Sequence, residues 1–592
     1  MKQAIKREAR AGFKPAPTKA VERRAALWSV ALPAITAIAV YLPALRNGFI
    51  WDDPTVLLQM RAIHSLGDLL VMPPIIPKFY YRPFVFVTYL IDRAFGGETP
   101  FWFHASVIGW HAVNTLLVFV LARQLFPADP TIPGAGAVLF AVFPTHVESV
   151  AWMAGRSDVI VCTFVLLTVL LFMDRERPWS VWLGGVTYLL ALLSKEMAVA
   201  CLIVVPLIDI ASRRLSVTRY IPLLAATGIY FMMRRASLGA FVGGMTTGAA
   251  PAALGLDVAR AIGFYVARAI VPTGLCAYIP EVPTNPFYLL IGIIAPVLGV
   301  SLLLVSWRRG RWQVGVLITW FFVTLAPSLT VIIRRSASAV VADRYLYVPT
   351  VASCILAAWI IVKLVESRRL PTRWSVSAVA CLSVIFALQT VPYTRVWTDN
   401  LTFWSDVAAK VPHDALPHRE VAAALQERGR LADAEPELLR AVAATSTREG
   451  QLMTYSNLGN LYRRLQRYDE AQAAFEAGMK IGAHPALYHN LGMTLMAKIE
   501  QEQKRGDQAA VMRDIVKARE AFEHALAMGS MPGAAQTFLE WNAAKTHALL
   551  AQVLFSLGDR AGAREHLGTA LRLEPTGPLA EATRQYMKKL EP

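Results

Sequence analysis

Residues 257–275, DVARAIGFYVARAIVPTGL, read as an apolar helix interrupted by Asp257, Arg260 and Arg268. Whether this segment crosses a membrane decides which motifs share a surface, because one crossing more or fewer inverts everything after it. Counted as a span, it throws the basic stretch WRRGRW, 307–312, outside, against the rule that Lys and Arg gather on the cytosolic side. It is therefore read as an interfacial or re-entrant helix.

The rest of the chain fits around that choice. With 55% hydrophobic residues and a mean hydropathy of +0.42, the 592-residue protein is too apolar to be wholly soluble. Apolar runs near the length of about 20 residues needed to cross a bilayer recur at about 27–45, 105–122, 135–151, 159–173, 180–194, 197–211, 219–233, 287–306, 313–332, 345–365 and 375–393. About 11 transmembrane helices follow, with the N-terminus inside and the C-terminus outside. No small-residue cleavage site follows the first run, so residues 1–26 read as a basic cytoplasmic tail and not as a signal peptide. DRERPW (174–179), SRRLSVTR (212–219) and ESRRLPTR (366–373) then fall inside, and the net charge of +17 reflects these loops, with no nucleic-acid partner implied. Cys162, Cys201, Cys276, Cys354 and Cys381 lie in or beside apolar runs without disulfide or zinc spacing, and read as packing residues.

With this topology four motifs share the outer surface: NGFIWDDP (47–54) in an outer loop spanning 46–104, HVESVAWMAGRSD (146–158), SKE (194–196) and ADRYLY (342–347). Beyond the membrane domain, 27–393, residues 394–412 read as a linker and 413–592 as a repeat array. YSNLGNLYRRLQRYDEAQAAFEAGM, 455–479, puts Leu458, Gly459 and Tyr462 on one helix and Ala471, Phe475 and Gly478 on the next, the small/large alternation of a tetratricopeptide repeat of about 34 residues. Val421, Ala422, Leu425, Ala434, Leu438 and Ala441 form an earlier unit. Leu550, Ala551, Leu554, Ala563, Leu567, Ala570 and Pro575 form a later one. A further unit pairs Leu491 and Gly492 with Ala518, Phe522 and Ala525 across an insertion around IEQEQKRGDQAAVMRD. Stacked helix pairs leave a concave groove suited to an extended peptide or a partner protein.

These motifs, in order, with PTHVESVAWMAGRSDVI, LLSKEMAV, ADRYLYVPTV and the closing TRVWTDNLTFWSDVAAKVPHDALPH, resemble the transmembrane and tetratricopeptide-repeat O-mannosyltransferases and their bacterial relatives, in the GT-C superfamily of glycosyltransferases. The resemblance covers nearly the whole chain. It implies an all-α, polytopic membrane GT-C fold followed by a tetratricopeptide-repeat α-solenoid, with a catalytic acid in the first outer loop. The implied donor is a polyprenyl-phosphate sugar, mannose by analogy, entering from the membrane lipid. The implied acceptors are protein Ser/Thr hydroxyls, presented by the repeat groove on the outer or lumenal face. Ala- and Arg-rich usage favours a bacterial inner membrane with periplasmic repeats, or the endoplasmic reticulum membrane in a eukaryote.

Such a transfer needs a base for the acceptor hydroxyl and cations for the departing phosphate. Asp53 precedes Pro54 and suits a helix N-cap, which leaves Asp52 as the expected base with Asp53 orienting the loop. His146 and Glu148 are expected to line the acceptor or sugar pocket; Arg156 and Asp158 belong to the same cluster, or pair with each other as solvated loop charges. The resemblance places Lys195 and Glu196 in contact with the lipid phosphate or the catalytic pocket, against a plain snorkelling role for Lys195. Arg344, beside Tyr345, offers forked donors that match phosphate oxygens, or anchors the interface with Tyr345 and Tyr347. Arg334 and Arg335 are less specific, and His64, His104, His111 and Asn114 are assigned no role. The paired acids with His146 or Glu148 carry donors for Mn²⁺ or Mg²⁺, but no spacing signature supports a metal site. Two rivals stay open: another outer-face GT-C enzyme such as an oligosaccharide ligase or lipid A sugar transferase, and a non-catalytic membrane scaffold. A transporter fits less well, since its ionisable residues would gather near the bilayer midplane.

Overall fold

A computed structural model describes residues 19–71, 80–239, 251–334, 339–444, 446–530, 539 and 541–590. Residues 1–18 of the basic tail, part of the 46–104 loop and Arg335 lie outside the described residues. The chain divides into two compact units, Met1–Asp399 and Asn400–Pro592.

The first unit is helical, and among the described residues seven helices are long and apolar enough to cross a membrane: Ser29–Arg46, Pro100–Leu125, Arg156–Met173, Pro286–Arg308, Trp312–Arg334, Pro349–Ser367 and Arg373–Val396. Helices also occupy the other four expected runs, but they are shorter or less apolar: Thr131–Ala141, Ser180–Ser194, Cys201–Ala211 and Ile221–Leu238. The expected run 135–151 is not one continuous helix. Pro144 holds Phe143 in extended backbone at φ −64 and ψ 123, the conformation a residue before proline prefers, so the helix stops at Ala141 and two short turns, Pro144–His146 and Val147–Val150, replace its end. That break releases Glu148 from the helix and places it in a connection.

The segment that opened the topology question forms a 20-residue helix, Pro251–Ile270, packed against Pro286–Arg308. The two backbones touch: a Cβ on Gly263 would lie 1.7 Å from the Tyr288 carbonyl oxygen, and one on Gly292 1.8 Å from that of Ala259. Its charges are partnered, Arg260 with Asp257 at 3.3 Å and Arg268 with Asp343 at 3.2 Å.

Inside the bundle a buried polar network joins elements distant in sequence. His111 Nδ1 meets the Tyr347 hydroxyl at 2.7 Å, Asn114 donates to that hydroxyl at 3.2 Å and to the Val159 carbonyl at 2.7 Å, and Thr163 donates to Asn114 Oδ1 at 2.6 Å. In an apolar interior each of these groups would be costly alone, so their mutual satisfaction fixes how the helices meet.

In the second unit the small residues do what their spacing predicts. A Cβ on Gly459 would meet the Phe475 ring at 2.6 Å, and one on Gly492 the Phe522 ring at 2.6 Å, so hydrogen is the only side chain that lets those helix pairs close. The helix pairs are Ala415–Glu427 with Leu431–Ala443, Arg448–Arg464 with Tyr468–Ile481, Pro485–Arg505 with Gln508–Gly529, and Ala543–Ser556 with Arg560–Leu573, ending on Pro578–Lys588. The insertion around residue 506 is absorbed as length: the third pair has helices of 21 and 22 residues, turned at Gly506 with φ +78. Within the expected linker 394–412, which holds the boundary between the two units, residues 400–410 form the helix Asn400–Lys410 with Phe403 and Trp404 buried. Its apolar face gives it something to pack on.

Candidate active site

The WDDP turn and its partners surround one cavity of about 480 Å³. The turn runs from Ile50, whose carbonyl accepts the Asp53 N–H at 2.9 Å, and the helix Asp53–Arg61 starts immediately, with Pro54 in its first turn. Asp52, not Asp53, occupies the N-cap position, and its carboxylate makes no capping bond. The expected N-cap role of Asp53 is therefore corrected: its buried carboxylate accepts the Ile50 N–H at 3.0 Å and the Ala154 N–H at 2.9 Å. Neighbours in sequence thus face opposite surroundings, Asp53 turned into the protein and Asp52 exposed on the cavity wall.

Lys195, Glu196, Arg344 and Tyr345 line the same cavity as Asp52. Lys195 is buried and reaches Asp158 at 2.6 Å, with its ammonium 5.3 Å from the centre of the Tyr345 ring. Arg344 lies in a short turn, Asp343–Leu346; its guanidinium pairs with Glu148, whose Oε2 also accepts the Arg344 N–H at 2.9 Å. Glu148 therefore sets Arg344 in place. Although Asp52 borders the open cavity, the protein packed around its carboxylate takes away much of the surrounding water and pushes the carboxyl above the ordinary range, opposed by the positive charge of Arg344. Burial likewise raises Glu148 to about 7 against Arg344, and lowers Lys195 against the pull of Asp158.

Five expected site residues do not line the cavity: Asp53, turned into the protein, Glu148, expected on the pocket wall and instead sitting behind Arg344, and Arg156, Asp158 and His146. Arg156 and Asp158 do not pair with each other: Arg156, fully buried, bonds Asp92 at 2.6 Å and the Phe103 carbonyl at 2.9 Å, with Tyr89 beneath it at 4.3 Å. At positions 156 and 158 of one helix they point apart, so each finds a partner on another element. His146 does not line the cavity; it is buried among Phe140, Phe143 and Tyr347 and bonds Thr350 at 2.7 Å through Nε2. Its ring is part of the core, where desolvation favours the neutral imidazole.

Sequence reading missed Arg82, Tyr80 and the indoles. Arg82 lines the cavity, pairs with Glu196 at 3.2 Å and lies over the Tyr80 ring at 4.4 Å. The signal available was YYRP, 80–83, where an arginine between aromatics and a helix-starting proline sits in the outer loop. Trp51 and Trp152 also line the cavity and stack with centroids 4.8 Å apart at 14°. Trp51 carries a positive φ of 53°, a conformation that costs a bulky residue about 1–3 kcal/mol.

Together these features define an integral membrane protein of helical spans, with a tetratricopeptide-repeat array and a cavity lined by two carboxylates, Asp52 and Glu196, and three cations. Family models of the tetratricopeptide repeat match residues 414–482 and 544–569. By sequence the chain is similar to proteins named protein O-mannosyl-transferase, of the Tmtc type, as its motifs led one to expect. It is 34% identical to Tmtc1 of Drosophila melanogaster over 195 residues, 30% of this chain and 22% of that protein. To human TMTC2 it is 29% identical over 210 residues, 31% of this chain and 24% of that protein. To F38B6.6 of Caenorhabditis elegans it is 23% identical over 440 residues, 69% of this chain and 61% of that protein. The match to the Drosophila protein thus spans about a fifth of that protein's length.

Proposed function

We propose that the protein is a membrane glycosyltransferase that moves a sugar, mannose by analogy with its relatives' names, from a polyprenyl-phosphate donor to Ser/Thr hydroxyls of proteins. The observation that carries this reading is the composition of one cavity of about 480 Å³: Asp52 shares its wall with Arg82, Lys195 and Arg344, and Glu196, the second carboxylate there, is paired with Arg82. A carboxylate above its ordinary pKa is suited to take a hydroxyl proton, and cations near it stabilise the charge that grows on a departing phosphate. Asp52 acts as the base. Arg344, with forked donors, and Lys195 hold the phosphate, and Glu196 orients Arg82 toward it. Asp53, Glu148 and Asp158 support these groups from behind. Chemistry runs on the non-cytosolic face, periplasmic in a bacterial inner membrane, and the repeat groove presents the acceptor.

The test is transfer by the purified full chain from mannosyl-phosphoryl polyprenol to a Ser/Thr-rich peptide, read as added hexose by intact mass. Asp52→Asn is expected to fold and to be inactive. Undiminished transfer by that variant, or no hexose added by the unmodified protein, overturns the reading.

A further inference from the structure

Four non-glycine residues among those described have positive φ: Trp51, Arg213, Arg369 and Gln466. Arg213, Arg369 and Gln466 follow the ends of helices, where a left-handed residue is the ordinary stop. Trp51 stands instead before a helix. It is the first central residue of the turn closed by the Asp53 N–H on the Ile50 carbonyl, and the second central residue, Asp52, has φ −80 and ψ −8. That is the pattern of a type II′ turn, whose first central position glycine ordinarily fills. The backbone therefore asks for glycine, and the sequence supplies the largest side chain there is. The indole must do something that the turn does not need.

Its surroundings say what. Trp51 stacks on Trp152, and the Arg344 guanidinium lies 5.5 Å from the centre of the same Trp152 ring. Trp152 is buried and belongs to the turn that also presents the Ala154 N–H to Asp53. One indole thus touches both the residue bonded to Asp52 along the chain and the arginine across the cavity. We infer that Trp51 is a positioning residue: clamped on Trp152, it fixes the direction of Asp52 relative to Arg344. This rests on the proposed role of Asp52 as base. A freely rotating carboxylate at the same place would spend little time in a reactive geometry, and misplacement by about 1 Å can cost about 100-fold in rate.

Trp51→Gly separates the turn from the clamp, because glycine satisfies the backbone and removes the indole. In the full chain in detergent, with mannosyl-phosphoryl polyprenol and a Ser/Thr-rich peptide, Trp51→Gly is expected to lower kcat by about tenfold or more with the donor KM within about twofold. Trp51→Phe, which keeps a ring on Trp152, restores most of the loss. Asp52→Asn with Trp51→Gly is expected to be no slower than Asp52→Asn alone, since both act through one group. Trp152→Leu removes the clamp without touching the turn and gives the same kcat loss, which keeps the test alive if Trp51→Gly does not fold. Carbodiimide labelling of Asp52, read by peptide mass, needs no turnover; its rate is expected to change by about threefold or more, the equivalent of about half a pK unit, in Trp51→Gly and Trp152→Leu. Unchanged kcat and labelling in these variants overturn the inference while leaving Asp52 as base. A raised donor KM with unchanged kcat also overturns it, making the indole a binding wall. An active Asp52→Asn removes the base and this inference with it.

Discussion

Asp53 accepts the Ala154 N–H at 2.9 Å, tying the turn before the helix Asp53–Arg61 to the turn after Val147–Val150, about a hundred residues later. The bond brings Trp51 and Asp52 to the cavity on one side and Trp152 on the other. Asp53 thus serves the site by holding two connections together, and its loss should be read first as a loss of structure.

Asp53→Ala leaves the Ile50 and Ala154 N–H groups without their acceptor and is expected to cost about 1–3 kcal/mol for each group left unsatisfied. Thermal unfolding in detergent measures it. Burial holds the Asp53 carboxyl up at about 7 against the two N–H bonds. Its folded value lies above its unfolded one, so its contribution to stability is complete below about pH 4 and is lost as pH rises through about 7. Asp53→Asn is expected to flatten that part of the stability profile; a slope that survives assigns it to another group.

Arg344 is expected to act on both the donor and Asp52. Arg344→Ala should raise the donor KM by about 10- to 100-fold, the worth of a forked charge-assisted contact, with a smaller effect on acceptor KM. A larger acceptor effect refutes the phosphate role. If Asp52 is the base, its ionised form is the active one, and transfer is expected to fall as pH drops through its raised pKa. Arg344 favours that ionised form. Arg344→Gln should therefore move the acid limb of the kcat profile to higher pH, and Arg344→Lys should leave it nearly in place.

Lys195 and Asp158 form a buried pair at 2.6 Å, and removing one partner strands the other charge. Asp158→Leu alone is expected to destabilise by about 3–5 kcal/mol, while Asp158→Leu with Lys195→Met recovers most of the stability. If Lys195 holds phosphate, the double variant melts normally yet uses donor poorly. Normal donor use by the double variant limits the pair to a structural role.

In the repeats, Gly459→Ala and Gly492→Ala drive a methyl into Phe475 and Phe522 respectively. Each is expected to cost about 1–3 kcal/mol through overpacking and to open its own helix pair first. Hydrogen exchange in the full chain should localise the loosening to 448–481 for the first and 485–529 for the second.

Much of this was legible in sequence, for definable reasons. Apolar runs marked the helices because a membrane span must satisfy its backbone internally, and glycine facing phenylalanine at repeat spacing marked the solenoid. Asp52 and Arg344 stood out as candidates because charges at the ends of apolar runs need a reason to be there, Tyr345 through its place beside Arg344, and Lys195 and Glu196 through the family resemblance. Their partners were not. Periodicity says which face of a helix a residue occupies and nothing about which distant residue meets it, so Arg156 could not be assigned to Asp92 or Lys195 to Asp158. His146 misled because a motif of polar residues looks alike whether its histidine faces a cavity or a core. The helix Asn400–Lys410 was not legible because Phe403 and Trp404, its anchors, are too few to show a period.

The Gly263 and Gly292 crossing has a mechanical corollary. Where two main chains lie in contact with no side chains between them, sliding would bring a neighbouring Cβ against the other helix's carbonyls, and prying apart would give up the close packing at the crossing. The helix pair Pro251–Ile270 and Pro286–Arg308 is therefore expected to move as a single plank.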